Sequence, residues 1–105
     1  MSRFTLDPRV RVDLDEIWDY IGIENNNPVA ASRQIEVLYE KFLLLANEPL
    51  LGQLREDLGK NLRAFVARPF VVLYRPTVHG IEVVQVVHFA RDVYTVLRHA
   101  KTEPS

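Results

Sequence analysis

The chain has 105 residues, of which 48% are hydrophobic and 26% charged, with a formal net charge of −1 and no cysteine. That length fits one domain, 1–105, and that balance excludes a disordered chain. The missing cysteines exclude disulfides and thiolate metal sites; no apolar run approaches a membrane span, and "MSRFTLDP" lacks the apolar core of a secretory signal, so a cytoplasmic protein is expected.

"SRFTL" alternates polar and apolar residues and predicts a short strand. Asp7 and Pro8 then supply a helix cap and a first-turn proline, where a missing N–H costs nothing. Val10, Leu14, Ile17, Trp18 and Ile21 follow at helical spacing, with Asp13, Asp15, Glu16 and Asp19 largely on the other side. "NNNP" repeats the punctuation: Asn27 caps and Pro28 opens a second helix. Its apolar stripe is Ala31, Ile35, Leu38, Phe42 and Leu45, and Asn47 and Pro49 end it. So short a link between two amphipathic helices predicts an antiparallel hairpin.

After "LLGQLREDLGKN" the character changes. Segments 61–67 and 69–75 are short and rich in β-branched and aromatic residues, "PTVHG" reads as a turn, and 81–90 is the longest strand. Their close spacing predicts an antiparallel meander. The expected fold is α+β, in the order strand–helix–helix–strand–strand–strand, with the helical hairpin on one face of a mainly antiparallel sheet and a tail from about residue 93.

A strand with one wet face should alternate, but these do not. Segment 69–75 puts Val71 and Leu73 on one side and Phe70, Val72 and Tyr74 on the other. Plain alternation in 81–90 puts Ile81, Val83, Val87 and Phe89 on one side and Val84, Val86, His88 and Ala90 on the other. Both faces are apolar and the helices can cover only one, so the second is covered by the tail or open to a partner. Phe70, Val72, Tyr74, Val84, Val86 and His88 are the candidates for such a partner surface. Charge is also uneven. Residues 1–60 carry seven basic and eleven acidic side chains and residues 61–105 carry six and three, so the second part is mildly basic. It suits an acidic peptide, a phosphate backbone or an acidic protein patch, or is simply a solvated surface.

His88 is a possible general base, although a lone strand histidine more often serves the fold. His79, His88 and His99 lack ligand spacing, so neither metal nor cofactor is expected. Arg63, Arg75 and Arg91 offer bidentate forks for phosphate or carboxylate, or else bridge the sheet to a helix carboxylate. Tyr74 and Tyr94 can stack or act as acids, but Tyr74 within an apolar strand reads as core. Asp92 can cap a last helical turn carrying Val93, Val96 and Leu97, with Arg91 anchoring the strand end. No glycine-rich phosphate loop is present.

"LRAF…PFVVLYR…HGIEVVQVVHFARD" resembles the C-terminal signature of the ParE toxins, within the RelE/ParE superfamily of bacterial toxin–antitoxin systems. "DLDEIWDYI" and "NPVAASRQIEVLYEKFLLLANEPLLGQLREDL" are similar to that family's helical hairpin and its Pro–Gly–Arg loop, here Pro49, Gly52 and Arg55. The resemblance covers nearly the whole chain. It implies a cytoplasmic toxin wrapped by a ParD-like antitoxin, for which an apolar sheet face and a basic second part are fitting surfaces.

Two activities divide that superfamily. RelE-like members are metal-independent, ribosome-dependent endoribonucleases with basic residues for phosphate and a terminal tyrosine or histidine; here Arg91, Tyr94 and His88 would serve. ParE-like members poison DNA gyrase by binding it, with no catalytic residues. RelE-like enzymes place an arginine three residues before the tyrosine that matches Tyr74, where this chain has Val71, and an apolar side chain cannot stabilise a transition-state phosphate. The helices also lack the lysine cluster of a ribosomal RNA binder. The resemblance therefore implies a gyrase-binding toxin without sequence-specific nucleic-acid binding of its own, with the endoribonuclease and a degenerate, non-toxic member as alternatives.

Overall fold

The computed structural model describes residues 2–89. β1 (Arg3–Leu6) leads into α1 (Pro8–Trp18), a π-helical turn (Asp19–Glu24) and α2 (Pro28–Asn47). β2 (Gln53–Leu54), β3 (Arg63–Ala67), β4 (Phe70–Thr77) and β5 (Gly80–His88) complete a five-stranded sheet of order β1-β5-β4-β3-β2. Among the described residues, only the β1–β5 pairing is parallel. The expected α+β order is present, with two additions: the two-residue β2 and the π turn.

Both helix starts follow the sequence punctuation. The Asp7 carboxylate accepts from the Arg9 N–H at 2.9 Å and the Asn27 side chain from the Ala30 N–H at 3.2 Å, each satisfying a donor that the helix leaves unpaired. The apolar stripes of both helices then meet one face of the sheet. Val10, Leu14, Ile17, Leu38, Phe42 and Leu45 pack on Phe70, Val72, Tyr74, Ile81, Val83 and Val86. On the opposite face a smaller cluster of Leu62, Leu73 and Val87 gathers Leu58, Ala64, Val71 and Val84 around it. The double-sided apolar character read from the strands is thus real, and the second face is partly roofed by Leu58 and Leu62 from the loop before β3.

Two backbone details set the register. Gly80 has φ +152°, and a Cβ there would lie 1.9 Å from the Arg3 carbonyl oxygen, so only glycine lets β1 start beside β5. Between Leu73 and Tyr74 the β4–β5 register shifts: Leu73 faces Gln85 while Tyr74 faces Val83, which leaves Val84 as an extra residue. Beyond this bulge every β5 side chain changes face relative to strict alternation. Val86 and His88 therefore join Ile81 and Val83 beneath the helices, while Val84 and Val87 lie on the opposite face. Asp13 of α1 takes up the bulged edge: its carboxylate accepts from the Val86 N–H at 3.0 Å.

Candidate functional site

The six residues read as a partner surface are divided by the sheet. Phe70, Val72, Tyr74 and Val86 are buried in the main core, and His88 is buried at the same face. They hold the helices and are not accessible to a partner. Val84 alone lies on the opposite face, half-buried. The His88 ring meets Tyr20 and Phe70 edge-on, at centroid separations of 5.3 and 5.2 Å. That is an aromatic packing role. Arg91, Asp92 and Tyr94, with Ala90 and the tail residues Val93, Val96, Leu97 and His99, lie outside the described residues.

Tyr74, Arg63 and Gly52 converge on the loop that follows α2. The buried Tyr74 hydroxyl accepts from the Gly52 N–H and donates to the Pro49 carbonyl, both at 2.7 Å. A guanidinium nitrogen of Arg63 donates to the Gly52 carbonyl at 2.7 Å and, at a longer 3.5 Å, to that of Leu50. The approach is close enough that a Cβ at Gly52 would stand 2.6 Å from the Tyr74 hydroxyl. Burial raises the Tyr74 phenol above its usual range, against smaller opposing effects of the Gly52 N–H and the Arg63 charge. The hydroxyl is thus a neutral double clamp with both capacities used inside the fold.

Arg75 plays the same part on the other face, where its Nε donates to the Lys60 carbonyl at 3.0 Å. Arg55 forks onto Asp57 at 2.8 and 2.6 Å, an exposed pair whose hydrogen bonds draw the Asp57 carboxyl below its usual range. Arg63 and Arg75, read as target-binding or structural, each tether a loop carbonyl. Val71 sits across the sheet from the Tyr74 side and pairs with Val66 and Val87. Tyr74, Val71 and His88 therefore assemble no acid–base pair around a phosphate. Among the described residues, no three His, Cys, Asp or Glu side chains converge as metal ligands, and no helix is long and apolar enough to cross a membrane.

Two apolar features reach the surface at opposite edges of the sheet. At the β1 edge, α1 and α2 enclose a groove of about 210 Å³ floored by Leu6, Leu14 and Ile35, walled by Trp18 and Tyr39, with Arg11 and Asp15 at its rim. At the β2 edge the clamped loop carries Leu50, Leu51 and Leu54, which are 70%, 48% and 47% exposed. Sequence reading missed both as sites. The groove's signal was an aromatic residue on each helix, Trp18 within the first stripe and Tyr39 beside the second; the loop's was three leucines within five residues of a predicted connection.

Comparison with known proteins is consistent across sequence and fold. The family model described as "ParE toxin of type II toxin-antitoxin system, parDE" matches residues 4–93. Toxin ParE3 of Caulobacter vibrioides is 37% identical over 75 residues, spanning 71% of this chain and 74% of that protein. Toxin ParE1 of the same organism is 32% identical over 92 residues, spanning 84% and 90%. The fold matches a chain of the chromosomal ParDE TA system from P. aeruginosa with a TM-score of 0.70, covering 84% of this chain and 96% of that one at 19% identity.

Proposed function

The chain belongs to the ParE toxin family of type II toxin–antitoxin systems, and from that premise we propose that it acts by binding and inhibiting DNA gyrase and is neutralised in the cytoplasm by a ParD-type antitoxin. The observation that carries the choice against an RNA-cleaving toxin is the Tyr74 hydroxyl. It is buried and committed to Pro49 and Gly52, and the position three residues earlier is Val71 on the far face. A general acid or base must reach the proton it moves, and this one does not reach solvent. An inhibitor that works by binding needs shape and exposed apolar surface instead, and the fold has both.

The antitoxin is best matched by the groove between α1 and α2. A concave apolar channel between two helices accepts the apolar face of an amphipathic helix. Residues 7–48 carry four basic and nine acidic side chains, so the groove's surroundings favour a segment with basic residues on its outer face. The sequence alone directs attention to Phe70, Val72, Tyr74, Val84, Val86 and His88 without choosing a sheet face; of these only Val84 lies away from the helices, and the loop that roofs part of that face makes it the poorer receptor.

The test is a supercoiling assay with purified gyrase beside a translation assay with ribosomes. Inhibited supercoiling or trapped cleaved DNA is expected, with intact mRNA. Normal supercoiling at a large excess of folded protein, with mRNA cut on ribosomes, would establish the ribonuclease reading; no effect in either assay would establish the non-toxic one.

A further inference from the structure

Three leucines exposed on a loop whose backbone is fixed by buried polar bonds are an expensive way to make a connection. Leu50, Leu51 and Leu54 bury little, so they do not hold the loop; Tyr74 and Arg63 do, through Pro49, Gly52 and Leu50 backbone groups. Between Leu50, Leu54, Arg63 and Pro76 lies a recess of about 300 Å³, with Glu56 and Asn61 at its rim. The Glu56 carboxylate there already accepts from the Asn61 N–H at 3.2 Å. The Arg63 partners in this region are the Leu50 and Gly52 carbonyl oxygens, and Glu56 is the carboxylate that lines the recess with it.

We propose that this β2-edge loop is a second docking surface, for a protein that inserts an apolar side chain flanked by carboxylates. On the toxin reading above, that protein is the target, and the surface is separate from the antitoxin groove. Charge complementarity fixes the partner's chemistry. The β2-edge loop 53–63 together with Arg75, which is bonded to it, carries four basic and two acidic side chains, net +2, whereas the helical segment 7–48 is net −5. An acidic partner is therefore drawn to the β2 edge and repelled from the helices. A nucleic acid fits less well. Sequence-tolerant strand binding rests on aromatic stacking, and residues 49–63 contain no aromatic side chain. Tyr74 is a positioning residue for the surface and Gly52 admits the clamp, while Arg63 both holds the loop and lines the recess.

The experiment uses the full chain and the double variant Leu50→Asp with Leu54→Asp, with growth arrest on induction in a bacterial host as the readout that does not presuppose a target. Circular dichroism melting and titration with purified antitoxin run alongside, because both positions are exposed and the variant should fold and bind antitoxin as wild type does. The variant should lose growth arrest, and the concentration that half-inhibits gyrase should rise on the order of thirtyfold, the size of a central hot-spot loss. Lys60→Glu should weaken inhibition a few-fold at low salt and less at high salt. A variant that melts normally, binds antitoxin normally and still arrests growth overturns the proposal. So does a wild-type chain that binds plasmid DNA through these leucines, or one that arrests no growth at all. Growth arrest that depends on the leucines while gyrase supercoils normally would instead keep the surface and remove gyrase as its target.

Discussion

The two edges of the sheet are built on different physics. At the β1 edge, structure rests on apolar burial: the Phe4 ring meets Tyr39 at a tilt and Phe42 edge-on, and the stripes of α1 and α2 close over β5. At the β2 edge, two residues of strand and a loop hang on hydrogen bonds from Tyr74, Arg63 and Arg75. Burial is spread over many side chains and cannot be lost locally. A clamp of a few polar bonds can be, and what it releases is the leucine loop. One edge therefore sets whether the chain folds, and the other sets how one surface is presented.

The largest effect should come from Phe42→Ala, which empties a fully buried site of the main core. A loss of about 3–5 kcal/mol is expected from such a truncation. Against a total of about 5–15 kcal/mol, this weakens antitoxin binding and toxicity together. Denaturant unfolding measures it. A loss confined to toxicity would contradict the division between edges.

Next come the clamp substitutions. Tyr74→Phe leaves the Gly52 N–H and Pro49 carbonyl without their partner, at about 1–3 kcal/mol. Gly52→Ala forces the hydroxyl and loop apart. Both should reduce growth arrest by more than their drop in stability explains while leaving antitoxin affinity near wild type. Equal losses of both activities would merge the two edges into one unit. Tyr74→Phe should also change the alkaline limb. A phenol raised in the folded state keeps its proton after unfolded tyrosine has lost it, so wild-type stability falls as pH rises above the ordinary tyrosine range. The variant should lose that part of the fall in a pH series of melts.

Most of the architecture behind this comparison was legible in the chain. Asp7–Pro8 and Asn27–Pro28 mark both helix starts, the stripe from Ala31 to Leu45 marks the face of α2, and segment 61–67 contains β3 while segments 69–75 and 81–90 cover most of β4 and β5, which run on to Thr77 and start at Gly80. What was not legible depends on contacts distant in sequence. Val84 is an ordinary strand residue until β4 sets the bulge, and that single extra residue carries Val86 and His88 to the core face. The Tyr74 clamp joins residues 22 and 25 positions apart, and no local pattern announces it. β2 is two exposed residues that owe their strand form to β3.

Smaller effects sharpen the boundary. Ile35→Glu in the groove should abolish antitoxin binding by calorimetry, whereas Val84→Glu on the roofed face should change it little; the reverse order would move the antitoxin to the far side of the sheet. The Arg55–Asp57 pair is exposed, so Asp57→Asn should barely shift the melting temperature at neutral pH. Its carboxyl is held low in the folded state, so whatever it contributes is present above the unfolded aspartate range and lost as pH falls through the folded value.

The division between edges is tested most directly by hydrogen–deuterium exchange of the chain with and without its antitoxin. Slowed exchange is expected along α1 and α2 where they line the groove, with unchanged exchange at residues 50–54. Strong protection of residues 50–54 with none in the helices would contradict that division.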